Sequence, residues 1–126
     1  MAITILIVDD SITMLSSVKS ALTMGGYTVE TANSGQAALD KLMGGLKPNL
    51  IITDINMPKM DGYEMIRLVR GDPGLQSVPV VAISTEAADG DITRAYEAGA
   101  NFYMVKPVNP GELAETARLL TGVRAP

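Results

Sequence analysis

The sequence contains no cysteine and no histidine. The first absence removes disulfides, thiolate nucleophiles and thiolate metal sites together. The second removes Ser/His triads, imidazole acid–base catalysis and His-ligated zinc. Any chemistry therefore falls to carboxylates, hydroxyls, Lys, Arg and the backbone. Basic residues are also scarce, with 10 Lys and Arg against 14 Asp and Glu and a formal net charge of −4. No cluster of Lys and Arg is available to meet a phosphate backbone, which argues against nucleic acid as a partner. The longest apolar stretches, such as Ile3 to Val8 and Val78 to Ile83, fall far short of the ~18 residues a membrane span requires. The N-terminus lacks the basic flank and small-residue cleavage site of a signal peptide. The expectation is a soluble cytoplasmic protein with no membrane partner.

The 126 residues set a prior of one domain, and a composition of 47% hydrophobic and 19% charged residues is that of a globular chain. Apolar runs recur at near-regular intervals, separated by segments with helical spacing, the pattern of βα units. Strands are expected at Ile3 to Val8, Tyr27 to Thr31, Asn49 to Thr53, Val80 to Ser84 and Phe102 to Val105. The first, third and fourth are near-continuous in Ile, Leu and Val, as in strands covered on both faces, so the sheet should be parallel with helices on each side.

The helices between them have legible ends. Met14, Leu15, Val18 and Leu22 give the first an apolar face that stops at Gly25-Gly26, and Asn33 or Ser34 can cap the second. Asp61-Gly62 opens the third, the fourth runs over roughly Asp89 to Ala98, and the fifth starts at Asn109 with Pro110 just inside. Right-handed crossovers favour the α/β doubly wound, flavodoxin-like order 2-1-3-4-5, a (βα)5 fold with helices on both faces. About 20 residues follow the last strand, too few for a second domain, so residues 1–126 are expected to form one domain with no output module. The eight methionines are assigned to core and helix faces.

In such sheets ligands bind beyond the carboxyl ends of the strands, where the winding reverses between strands one and three. The residues that close the strands are Asp9 and Asp10 after the first, Asp54 after the third, Ser84 and Thr85 after the fourth, and Lys106 after the fifth. Three carboxylates brought together repel one another and favour a hard cation. Mg²⁺ suits them, because it takes oxygen ligands and binds through one or two carboxylates plus waters and phosphate. Lys106 and Ser84 add an ammonium and a hydroxyl able to hold phosphoryl oxygens, whose transfer depends on positioning and charge neutralisation. Taken singly, each residue also has a plainer role: Asp9-Asp10 as a helix cap, Lys106 as a solvated strand end, Ser84 or Thr85 as a cap or loop hydroxyl. Independent accidents would have to place all of them around one gap.

Asp9-Asp10, Asp54 with Met57-Pro58 and Asp61-Gly62, Ser84, the Gly99-Ala100 turn and Lys106-Pro107 together resemble the signature of response-regulator receiver domains, over essentially the whole chain. Among receivers the chain is most similar to the stand-alone chemotaxis type. Thr13-Met14 follow Asp9-Asp10, Asn56 lies two residues after Asp54, Glu86-Ala87 follow Ser84, and Tyr103 stands three before Lys106.

The resemblance implies that Asp54 accepts a phosphoryl group from a sensor histidine kinase. Asp10, Asp54 and the backbone carbonyl of Asn56 would ligate Mg²⁺, with Asp9 acting through water. Lys106 would pair with the phosphoryl group and Ser84 would swing to hydrogen-bond it. It further implies that Tyr103 turns in from an exposed rotamer as Ser84 moves, remodelling the face of the fourth helix, fifth strand and fifth helix for a downstream protein such as a flagellar motor switch. Plain core filling is the competing role for Tyr103. Ile55 stands where chemotaxis regulators often carry an aromatic residue, and Val108 where Phe is common. A general phosphorelay or developmental regulator is thus the alternative pathway.

A Mg²⁺-dependent aspartyl-phosphate phosphatase is the rival from another class, but it typically needs a carboxylate two residues beyond its nucleophile, where this chain has Asn56. A flavin module on the same fold would want a phosphate-binding loop after the first strand, and here that loop is acidic. A degenerate receiver used as a scaffold would not need the complete set of acidic and basic residues. The chain is therefore expected to be a signalling protein and not an enzyme, promoting only its own phosphotransfer and dephosphorylation.

Overall fold

The structure is a computed structural model in which residues 3–122 are described. Strand and helix alternate throughout: β1 (Thr4–Val8), α1 (Ile12–Met24), β2 (Thr28–Ala32), α2 (Gly35–Met43), β3 (Leu50–Asp54), α3 (Gly62–Gly71), β4 (Val80–Ser84), α4 (Asp89–Ala98), β5 (Phe102–Val105) and α5 (Pro110–Thr121). The five strands are parallel and ordered β2-β1-β3-β4-β5. Every residue of β3 and β4 is buried, as the unbroken aliphatic runs require of strands with a helical layer on each face.

Alternate side chains of the same strands serve two cores. Leu6, Val8, Ile51, Val80 and Ala82 join α2, α3 and α4 on one face; Ile5, Ile7, Leu50, Ile52, Val81 and Ile83 join α1 and α5 on the other. Each fully buried Leu or Ile contributes roughly 2 kcal/mol relative to exposure.

Two strands lie one residue further along than expected. Tyr27 precedes β2, and Asn49 precedes β3, where its side-chain oxygen accepts from the Thr4 amide at 2.8 Å. At the other end Asp54 pairs with Ile83 and so is the last residue of β3, not the first of the loop; ladder pairing overrides the poor strand propensity of Asp. The cap of α1 is Ser11, whose hydroxyl accepts from the Met14 amide at 3.2 Å, which releases Asp9 and Asp10 from that role. Ser34, not Asn33, caps α2, while Asp61 caps α3 and Asn109 caps α5. Among the methionines, Met65 is core and Met57 is buried in a loop, whereas Met24 and Met43 are exposed at helix ends. Met1 lies outside the described residues. Among the described residues no helix is long and apolar enough to cross a membrane.

Candidate functional site

The carboxyl ends of β1, β3, β4 and β5 meet on one rim. Asp9 and Asp54 are buried there, Asp10 is exposed, and one carboxylate oxygen from each of the three lies within 4.8 Å of the others. Lys106, arriving from the end of β5, places its Nζ 3.2 Å from Asp9 Oδ2 and 3.3 Å from Asp54 Oδ1. The backbone fixes these positions. Asp9 donates its amide to Ala32 O at 3.1 Å, and Lys106 donates its own to Ser84 O at 2.8 Å. Asp9 Oδ1 also accepts from the Ser11 amide at 2.9 Å, tying the carboxylate to the start of α1.

One ammonium does not neutralise three carboxylates. Burial, and after it the charge of Asp9, pushes the Asp54 carboxyl above its ordinary value despite the pull of Lys106. Lys106 loses hydration on burial, yet the adjacent Asp54 and Asp9 outweigh that loss and raise its pKa. It therefore stays an ammonium. The donor set is all oxygen, carboxylate-rich and open on the Asp10 side, which fits a hard divalent cation of the Mg²⁺ kind.

Asp54 Oδ1 accepts a long hydrogen bond, 3.3 Å, from the Asn56 amide, so the loop after β3 wraps back on the carboxylate. That tight return depends on glycine at 62. A Cβ there would lie 2.4 Å from Asp54 O and 2.7 Å from Ile55 Cα, and the Gly62 amide donates to Ile55 O at 2.9 Å. The Asp61-Gly62 pair thus has a physical reason: the first residue caps α3 and the second lets α3 begin against the backbone of the acceptor strand.

Ser84 is fully buried, and its hydroxyl oxygen accepts from Asn56 Nδ2 and from the Glu86 amide, each at 3.0 Å. In this arrangement it is turned to the β3 and β4 loops and not to Asp54. The Asn56 side chain, expected only to offer its backbone carbonyl, is therefore the group that holds Ser84. Nothing in the sequence pairs residues 28 apart, and the link is visible only once β3 and β4 are neighbours. Thr85 is exposed beside Ser11 and Lys106, where a cleft of about 410 Å³ opens next to the site.

Tyr103 is buried and donates its hydroxyl to Glu86 O at 2.8 Å. The expected exposed rotamer is thus not the one present. The ring belongs to the same core cluster as Ala95, Ala98 and Ala100. A second tyrosine, Tyr63, which the sequence reading passed over, donates to Asp91 O at 3.2 Å and carries the Arg94 guanidinium 4.0 Å above its ring. The two hydroxyls together anchor the loop and first turn of α4, whose own cap residue, Ala88, offers no side-chain bond.

The sequence profile of the response regulator receiver domain matches residues 5–118. The chemotaxis protein CheY1 of Helicobacter pylori is 37% identical over 119 residues, covering 94% of this chain and 96% of that protein. A chemotaxis protein CheY homolog of Campylobacter jejuni is 38% identical over 112 residues, 88% of this chain and 86% of that one. Among solved structures, Vibrio cholerae chemotaxis protein CheY4 superposes with a TM-score of 0.90 at 34% identity, over 95% of this chain and 99% of that one. The receiver domain of the sensor histidine kinase PA1611 of Pseudomonas aeruginosa, solved with a magnesium ion coordinated in its active-site cleft, superposes with a TM-score of 0.87 at 27% identity, over 97% and 99%.

Proposed function

The chain belongs to the response regulator receiver domain family and is a phosphoacceptor protein of two-component signalling, and on that premise we propose that Asp54 is its phosphoacceptor in a chemotaxis pathway. The observation that carries this reading is the convergence of Asp9, Asp10 and Asp54 around the single ammonium of Lys106. A carboxylate oxygen of Asp54 attacks the phosphorus of a phosphohistidine on a sensor kinase. The P–N bond breaks as the P–O bond forms, and the departing imidazole keeps the electron pair and takes a proton. Asp54 must be ionised to attack, and Lys106 opposes the burial and the Asp9 charge that favour its neutral form. Bound Mg²⁺ would supply the positive charge that lets the carboxylates and the phosphoryl oxygens share the rim, held by Asp10, Asp54 and the carbonyl of Asn56 with Asp9 through water. The magnesium in the PA1611 receiver and the donor chemistry here both support that assignment.

In the phosphorylated state Lys106 meets the new phosphoryl oxygens. Ser84, on releasing Asn56 Nδ2 and the Glu86 amide, donates to another. Because Glu86 also holds Tyr103, that exchange reaches the α4/β5/α5 face, by which a downstream protein is regulated. Hydrolysis of the acyl phosphate by the same groups would reset it. The protein acts as a signalling component and not as an enzyme with an external substrate; Asn56, whose amide is committed to Ser84, leaves no general acid for a phosphatase. The chemotaxis names of its relatives favour that pathway over a general phosphorelay. Incubation with acetyl phosphate and Mg²⁺ should add one phosphoryl group to the wild type by intact mass and none to Asp54→Asn. Equal labelling of both would overturn the site.

A further inference from the structure

The face formed by α4, β5 and α5 has a chemistry of its own. Strand β5 is an edge of the sheet, bonded to β4 alone, and beside it lies a groove of about 590 Å³ lined by Phe102 and Met104 from the strand and by Glu112, Glu115 and Thr116 from α5. Phe102 is 42% exposed and Val105 41%, flanked by Tyr96 on α4 at 44% and Leu119 on α5 at 65%. These are four large apolar side chains of consecutive elements left in solvent, more than scattered surface residues account for.

The charge around them is one-sided. Between residues 86 and 122 six acidic side chains stand against three basic ones. Each of the three cations is already engaged: Arg94 lies over Tyr63 on the α3 side, Lys106 is turned to Asp9 and Asp54, and Arg118 pairs with Glu115. Asp89, Glu97 and Glu112 are exposed and, among the described residues, pair with no cation. Exposed carboxylates on α4 and α5 outnumber the cations, so the Lys and Arg of a partner segment would find more opposite charge on this face than Asp and Glu would.

We propose that the α4/β5/α5 face takes a basic protein segment whose apolar residues enter the groove beside Phe102 and whose Lys and Arg pair with Asp89, Glu97 and Glu112. This deepens the proposed function and rests on it, since it names the chemistry of the partner that the phosphorylated protein regulates.

The test titrates the full chain with two synthetic amphipathic peptides that share their Leu and Phe positions, one with Lys and Arg at the polar positions and the other with Glu, read by fluorescence anisotropy. The basic peptide should bind at least about tenfold more tightly than the acidic one, and its affinity should fall as salt is raised past physiological strength. The Glu97→Lys, Glu112→Lys double variant should lose that preference, Phe102→Ala should weaken the basic peptide, and Asp40→Lys on α2 should change neither affinity. Equal binding of the two peptides, or a preference that the double variant leaves intact, overturns the proposal. A concentration-dependent dimer abolished by Phe102→Ala would assign the face to a second copy and overturn it as well. Acetyl phosphate labelling of the same sample separates the readings: labelled protein without the basic preference refutes the partner alone, and unlabelled protein refutes Asp54 as the acceptor.

Discussion

At the amino end of β4 and β5, the partly buried guanidinium of Arg70 donates to Gly99 O at 2.9 Å, Gln76 O at 3.0 Å, Val78 O at 2.7 Å and Asn101 Oδ1 at 2.7 Å. Asn101 Oδ1 also accepts from the Val80 amide at 2.8 Å. At the carboxyl end three carboxylates share one ammonium, and Asp54 accepts only a long bond from an amide besides. The first cluster meets its charge with four bonds to neutral acceptors, which tie the ends of α3, α4 and β5 together. The second is short of positive charge and of donors, and so has capacity for a ligand. A charge removed from water marks structure when its bonds are filled and a site when they are not.

Breaking the Arg70 cluster should have the largest effect. Arg70→Ala removes several charge-assisted bonds at once and should cost about 3 kcal/mol of folding free energy in urea denaturation. Mg²⁺ affinity of the protein that remains folded should be unchanged; a parallel loss of Mg²⁺ binding would show that the two ends are not independent. At the other end, Asp10→Ala should weaken Mg²⁺ about a hundredfold, near 2.7 kcal/mol, by titration calorimetry. An unchanged dissociation constant would remove Asp10 from the ligand set. Lys106→Met takes away the competing cation and should tighten Mg²⁺ by about tenfold, near 1.4 kcal/mol. Weaker binding would mean that Lys106 positions the carboxylates and does more than offset their charge.

The smallest effect is a pH dependence. Because the folded Asp54 takes up its proton at a higher pH than the ordinary value of 3.8, the folded chain binds more protons than the unfolded chain just above that value. The stability associated with Asp54 is fully present below 3.8 and is lost as pH rises through the raised folded value. Without Mg²⁺, the stability of the wild type relative to Asp54→Asn should therefore fall with rising pH across that window. A rise would show that Lys106 outweighs burial and Asp9.

Some of this was readable residue by residue. The runs at β1, β3 and β4 announce strands covered on both faces, and Gly25, Pro110 and Asp61 mark helix ends, because these depend on chain-local sterics and hydrogen bonding. Asp9, Asp10, Asp54 and Lys106 follow from strand ends and a parallel order. The cap of α1 is Ser11 and not Asp9 or Asp10, a choice among good cap residues that only the extended backbone at Ser11 and its bond to the Met14 amide decide. Arg70 gave no signal, as one of two basic residues on an amphipathic helix.

The order of residue types along the chain determined the βα alternation, the parallel sheet and the rim on which the carboxylates stand, because apolar periodicity and turn chemistry act over a few residues. Only the tertiary structure decided that Asn56 holds Ser84, that Tyr103 is turned inward onto Glu86, and that Arg70 closes the far end. Those bonds join residues far apart in sequence, and a hydroxyl or guanidinium has no preferred partner until packing sets which acceptors lie within about 3 Å.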